Sequence, residues 1–336
     1  MSRSRRDVLK LSGAAAVASS LAGAALAAPK PVAPSGLPQR TLGKTNVQVS
    51  AIGLGGHHIG TLKDERSAVR LVQQAIDAGI TLMDNAWEYH DGRSELWMGQ
   101  AIADRRDKVF LMTKLCSHGR DKRTAMEQLD ASLRRLKTDY LDLWQIHEVA
   151  WDDDPEKHFM KGGAIEALAE AKKAGKVRFI GFTGHKAPAL HLKMLSHGFP
   201  FDTVQMPLNP FDAHFRSFQK EVLPVAQKQG IAVLAMKSLG GTGAAVKAGV
   251  ISVEETLRYV WSQPIASLIS GIDSVKVLKQ NLDILRRFKP MTPEEQRAVE
   301  AKIAARAQAG EFELYKTTRQ FEGPIGRAQR GISAEG

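Results

Sequence analysis

Residues 109–147 read VFLMTKLCSHGRDKRTAMEQLDASLRRLKTDYLDLWQIH, and this stretch decides the fold. Its first part, VFLMTK (109–114), is a short apolar run closed by a lysine. Its middle, RTAMEQLDASLRRLK (123–137), repeats apolar residues at i, i+3, i+4 and i+7, the stripe of a helix with one buried face. Its last part, YLDLWQIH (140–147), is a second apolar run ending in a polar residue. Short continuous apolar runs flanked by helical stripes are strands covered on both faces, as in parallel sheets.

Working outward, the same unit recurs. The other runs are VSAIGLGG (49–56), TLMDNA (81–86), VRFIGFTG (177–184), TVQMPLN (203–209), IAVLAMK (231–237) and IASLISGI (265–272). Helical stripes such as DERSAVRLVQQAIDAGI (64–80) lie between them, and several end in glycine, as at DAGI (77–80) and KKAGK (172–176). Eight strand–helix units about 30 residues apart predict a closed parallel (β/α)8 barrel of the TIM type. An open doubly wound sheet would need a phosphate-binding turn leading straight into a helix. GLGGHHIG (53–60) has the glycines, but no helix is expected directly after it. RTLGKTNVQVS (40–50) reads as a hairpin plugging the N-terminal end of the barrel. Thr292-Pro293-Glu294-Glu295 is a capping box opening an extra helix to about Gln308. The expected organisation is a leader over 1–27, the barrel over 38–310 and an irregular tail over 311–336. GEFELYKTTRQFEGP (310–324) folds over the barrel in this reading, and the last dozen residues are disordered.

The leader is an address. Arg5-Arg6-Asp-Val-Leu-Lys precedes the weakly apolar LSGAAAVASSLAGAALA, which closes in Ala25-Leu26-Ala27. It resembles a twin-arginine signal, with Val8 where the commonest form has Phe. The resemblance implies recognition by the twin-arginine machinery, export as a folded enzyme to the periplasm or beyond, and cleavage near Ala27. A short stretch rich in Ala, Ser and Gly is not expected to anchor stably in a membrane. The leader carries +3 of the net charge of +11, and the remainder is spread without a basic–aromatic run. Nucleic acid is therefore not the expected partner. The single cysteine, Cys116, excludes an intrachain disulfide and any CxxC site.

Barrels of this type carry their chemistry at the C-terminal strand ends. There the sequence sets Asp84, with Tyr89 five residues on, then Lys114 and His147. A buried Asp84–Lys114 pair would satisfy both charges. Its ammonium would lower the pKa of Tyr89, making the phenol a usable acid and base, and His147 would orient the substrate oxygen. In LMDNAWEYH, VFLMTK and DYLDLWQIH these four residues resemble the tetrad of the aldo-keto reductase superfamily, over about Arg40 to Phe288. The resemblance implies an oxidoreductase that moves a hydride between NADP or NAD and a small carbonyl or alcohol, with Tyr89 as general acid/base.

The resemblance also implies cofactor contacts. Thr183 and Gln205 would meet the nicotinamide carboxamide, although GFTGH (181–185) has Gly184 where the family has an Asn. Leu208 stands near the position of the ring-stacking Tyr. Lys237, Leu239 and Gly241 would wrap the pyrophosphate, and Gly271, Asp273, Gln280 and Asn281 the adenosine end. Asp273 replaces the basic residue that often holds a 2′-phosphate, so the choice between NADPH and NADH stays open. Trp87, His118, Trp151, Phe211 and Phe215 are candidates for the substrate side, and Asp152–Asp154 reads as a solvated run.

Two other functions fit some of the residues. Six histidines (His57, His58, His90, His118, His147, His185) near strand ends suit a metal-dependent barrel hydrolase, although no H-x-H occurs. A non-catalytic nicotinamide-binding barrel would also keep the fold.

Overall fold

The computed structural model describes residues 36–118 and 121–333, so the leader, residues 119–120 and the last three residues lie outside it. All eight apolar runs form the barrel: β3 (Ile52–Gly55), β4 (Leu82–Asp84), β5 (Phe110–Leu115), β6 (Leu141–Ile146), β7 (Val177–Thr183), β8 (Thr203–Pro207), β9 (Ala232–Met236) and β10 (Ser267–Ser270). Each pairs in parallel with the next, and β10 closes on β3 with Leu268 opposite Ile52. The run 49–56 divides between two layers. Its start belongs to β2 (Gln48–Ser50), which pairs antiparallel with β1 (Gln39–Thr41).

That hairpin is the expected plug. Leu42 and Val49 pack into the barrel interior with Leu82, Phe110, Met112, Leu143 and Leu234. The Arg40 guanidinium donates to the carbonyls of Trp261 and Ile265, tying the hairpin to the approach to β10. A second, larger core lies between strands and helices. The helix Lys122–Leu136 is typical: Ala125, Leu129, Leu133 and Leu136 are buried on one stripe, and the Asp121 carboxylate caps Thr124 N–H at 2.6 Å. The extra helix runs Pro293–Ala307 with the predicted Thr292–Glu295 capping box complete.

Two expectations need correction. A one-turn helix, Gly56–Ile59, does begin directly after β3, although the crossover helix is Glu65–Asp77. The tail is not irregular: it holds helical turns at Leu314–Thr317 and Pro324–Gln329. The tail packs into the main core, which includes Phe312. Phe312, Glu313, Tyr315 and Lys316 are buried, and Lys316 Nζ pairs with Asp212 at 2.6 Å and Glu313 at 2.9 Å. Ordering costs entropy that must be offset by burial, and these contacts supply it.

Candidate active site

Parallel pairing of β4 with β5 and of β5 with β6 brings their C-terminal ends side by side. Asp84 ends β4, Lys114 lies in the last two residues of β5, and His147 follows β6. Lys114 Nζ is 2.5 Å from Asp84 Oδ1, 2.7 Å from the Asn85 carbonyl and 3.4 Å from the Tyr89 hydroxyl. The Tyr89 ring is edge-on to His147, with centroids 5.5 Å apart, and His57 flanks it at 5.3 Å. The four tetrad residues are thus in one place.

Their electrostatics differ from the expectation in one respect. The Lys114 ammonium does not draw the Tyr89 phenol down. Burial, with the carboxylates of Asp84, Glu88 and Glu148, raises it well above its ordinary value. Tyr89 is therefore a protonated donor at neutral pH. Burial pushes the Asp84 carboxyl up while Lys114 pulls it back. His57 is lowered to about 4, by burial first and by His58 and His90 next.

Sequence reasoning missed two carboxylates in this site. Glu88 precedes Tyr89 and lies on His147 Nδ1. Glu148 follows His147, is raised to about 8 by burial and Glu88, and accepts the Gly323 N–H at 3.0 Å. Each is one residue from a tetrad member, and that adjacency was the only signal available.

The cofactor candidates spread around the mouth. Thr183 ends β7, buried. Gln205 lies inside the barrel, where its side-chain oxygen accepts from Gln145 Nε2 at 2.9 Å. At Gly184, a Cβ would stand 2.4 Å from the Val149 carbonyl oxygen, so the Asn of the family pattern has no room. Leu208 is fully buried in the core and offers no surface to a ring. Lys237 and Gly241 lie beneath the tail. Lys237 Nζ is 5.4 Å from the Tyr315 ring centroid and 4.8 Å from that of Phe321, and its pKa falls to about 8, chiefly through burial. Gly241, with φ of +84°, has Phe321 where its side chain would be. Leu239, in the same loop, is half-buried. Gly271 abuts the His58 ring, and Asp273 is exposed. Gln280 is exposed on the outer flank, whereas Asn281 is buried and donates to Ser270 Oγ at 2.8 Å.

The substrate candidates largely serve the tail. Phe211 packs against Phe312 with the rings tilted, Phe215 abuts Gly310, and His118 abuts Gly326. Trp151 lies between the guanidiniums of Arg319 and Arg330. The acidic run is not simply solvated, because Asp153 and Asp154 bind Arg330. Trp87 remains half-exposed beside the tetrad, against Arg135. Among the described residues no group of three His, Cys, Asp or Glu is placed to hold a metal ion, which leaves the hydrolase reading without a ligand set. None of the described helices is long and apolar enough to cross a membrane.

The sequence profile described as the aldo/keto reductase family matches residues 51–251. This chain belongs to that family. Aldo-keto reductase YhdN of Bacillus subtilis (strain 168) is 33% identical over 214 residues, covering 59% of this chain and 61% of that protein, so the match spans less than two thirds of that relative. The uncharacterized oxidoreductase YqkF of the same organism is 27% identical over 307 residues, covering 78% of this chain and 95% of the relative. An aldo-keto reductase from Klebsiella pneumoniae, solved in complex with NADPH, superposes with a TM-score of 0.65 at 24% identity, covering 80% of this chain and 96% of that one, a likeness of fold.

Proposed function

We propose that this family member is an NAD(P)H-dependent carbonyl reductase, moving a hydride between a nicotinamide and an aldehyde or ketone, or back from the alcohol. The observation that carries this reading is the meeting of Asp84, Tyr89, Lys114 and His147 at one end of the barrel. A nicotinamide bound there supplies the hydride. Gln205 and Thr183 would hold its carboxamide, and the Lys237–Gly241 loop, which lies against Tyr315 and Phe321, would take the pyrophosphate. Gly271, Asp273, Gln280 and Asn281 flank the adenosine end. The Klebsiella relative holding NADPH supports this class of cofactor.

The proton moves from Tyr89. Its phenol is protonated at neutral pH, so it gives its proton to the carbonyl oxygen as negative charge develops there. Lys114, fixed by Asp84, stands 3.4 Å from the phenolic oxygen and offsets the phenolate that remains. His147 meets the same substrate oxygen from the other side of the Tyr89 ring.

Titrating the protein without residues 1–27 with NADPH and NADH, followed by tryptophan fluorescence, tests the reading. Saturable quenching by either supports it, and the ratio reports what Asp273 does to a 2′-phosphate. Binding of neither, in a folded sample, refutes it. Turnover untouched by Tyr89→Phe would refute the mechanism and favour a barrel that only binds nicotinamide.

The leader lies outside the described residues, and its reading stands on sequence. Residues 1–27 direct twin-arginine export, with cleavage near Ala27 and a periplasmic or otherwise exported product. Replacing Arg5 and Arg6 together by Lys should retain the chain in the cytoplasm at its uncleaved length. Export unaffected by that change refutes the assignment.

A further inference from the structure

The loop that carries Tyr89 also carries, one residue earlier, a partner for His147. Glu88 lies on His147 Nδ1, and the Glu88 side chain is 5% exposed. Its second oxygen, Oε2, is buried without a hydrogen-bond partner, so Nδ1 is the group this carboxylate serves. On the other side of the imidazole, Nε2 makes no hydrogen bond among the described residues, and 15% of the side chain stays exposed beside the Tyr89 ring. Burial pushes the Glu88 carboxyl up, but the charge of His147 and the hydrogen bond to it outweigh that, and the group sits below its ordinary value. Glu88 is therefore ionised at neutral pH. An ionised carboxylate only accepts, so the Nδ1 that faces it carries a proton. The neutral ring then has a bare, accepting Nε2, and only the imidazolium can donate from Nε2 to a substrate oxygen.

We propose that Glu88 is a positioning residue that fixes His147 with its proton on Nδ1, so that the substrate oxygen meets a carboxylate-held imidazolium instead of a neutral N–H donor. The inference rests on the carbonyl-reductase reading above. In reduction, the carbonyl π pair moves onto oxygen as hydride reaches carbon. Tyr89 transfers the proton, and the His147 imidazolium keeps both of its own while hydrogen-bonding the developing charge. A charged donor is roughly twice as strong as a neutral one, and this bond strengthens as the oxygen becomes negative. In oxidation the same states run backwards: the Tyr89 phenolate takes the alcohol proton as hydride leaves carbon, and the His147 imidazolium keeps both of its own.

The test uses the whole mature chain, labelled with 15N. Long-range 1H–15N spectra of the histidine rings are recorded where the ring is neutral, with the His147 signal assigned by its loss in His147→Gln. The parent chain should show Nδ1 protonated and Nε2 bare, and Glu88→Ala should shift His147 toward the Nε2–H tautomer. With an aromatic aldehyde and NADPH, Glu88→Gln should lower kcat by about 10- to 100-fold and leave KM within about twofold, as expected for a lost oxyanion contact. Glu88→Asp should recover part of that loss. An Nε2–H tautomer in the parent, or an unchanged kcat in a folded Glu88→Gln chain, overturns the proposal. If the parent shows the expected tautomer but reduces no aldehyde, Glu88 still sets His147 and it is the carbonyl-reductase reading that fails.

Discussion

Lys316→Met tests what holds the C-terminal tail across the barrel mouth. Lys316 Nζ contacts Asp212 at 2.6 Å, Glu313 at 2.9 Å and the Phe215 carbonyl at 2.7 Å, and the side chains of Lys316, Asp212 and Glu313 are fully buried. Methionine keeps most of the volume and removes the cation. Asp212 retains Ser217 and the Phe218 and Gln219 N–H groups, and Glu313 retains the Tyr315 hydroxyl. Burial already pushes both carboxyls up against the pull of Lys316. Without Lys316, one of them takes up a proton instead of remaining an unpaired buried charge. Holding a carboxyl neutral at pH 7, against an ordinary value near 4, costs about 4 kcal/mol, which caps the penalty. That cap lies within the roughly 3–5 kcal/mol typical of a broken buried ion pair.

The cap also sets the sign of the pH dependence. The folded variant binds a proton that the unfolded chain releases, so its deficit grows as pH rises above about 4 and is only about 1.5 kcal/mol at pH 5. At about 2 °C per kcal/mol for a chain of this size, thermal unfolding should show a drop of about 6–8 °C at pH 7 and about 3 °C at pH 5. Limited proteolysis at pH 7 should cut the variant between residues 309 and 323 before the parent. Equal shifts at the two pH values, or a parent-like transition at pH 7 with the tail still resistant, would refute the argument.

Two further predictions concern the mouth. Glu148 is raised to about 8 from 4.5, so the folded chain keeps a proton that the unfolded chain loses, and stability from this group declines as pH rises between those values. Glu148→Gln removes that titration. At about 1.4 kcal/mol per pH unit, its melting temperature should match the parent near pH 4.5 and exceed it by about 9 °C at pH 8, and a difference that is flat with pH would refute the reading. Gly184→Asn restores the family pattern in sequence, but its Cβ meets the Val149 carbonyl at 2.4 Å and His191 at 2.8 Å. It should cost about 1–3 kcal/mol and bring no tighter NADPH binding, and a stable variant with improved affinity would show that the loop has room to move.

The barrel was legible because its signal is local and repeated. Strands buried on both faces must be apolar throughout, and helices on a barrel must carry one stripe, so eight runs and their spacers were enough. The tetrad was legible for a related reason. Once β4, β5 and β6 are parallel neighbours, the residues at their ends share one rim, and Asp84, Lys114 and His147 have no other place to be. The plug and the capped C-terminal helix were likewise written in short windows.

The tertiary structure alone decided the rest. Lys186–Glu322, Asn209–Tyr315 and Asp154–Arg330 join residues more than 100 positions apart, and in sequence each looks like an ordinary surface group. That is why the tail read as irregular and the acidic run as solvated. The direction of the Tyr89 shift was equally out of reach: Lys114 was visible, but the opposing sum of burial and the Asp84, Glu88 and Glu148 carboxylates exists only once the chain has folded. Sequence periodicity determines which residues face a core or a rim, because that depends on near neighbours. Charge balance at a site depends on everything within several ångströms, and only the closed barrel with its tail in place sets that company.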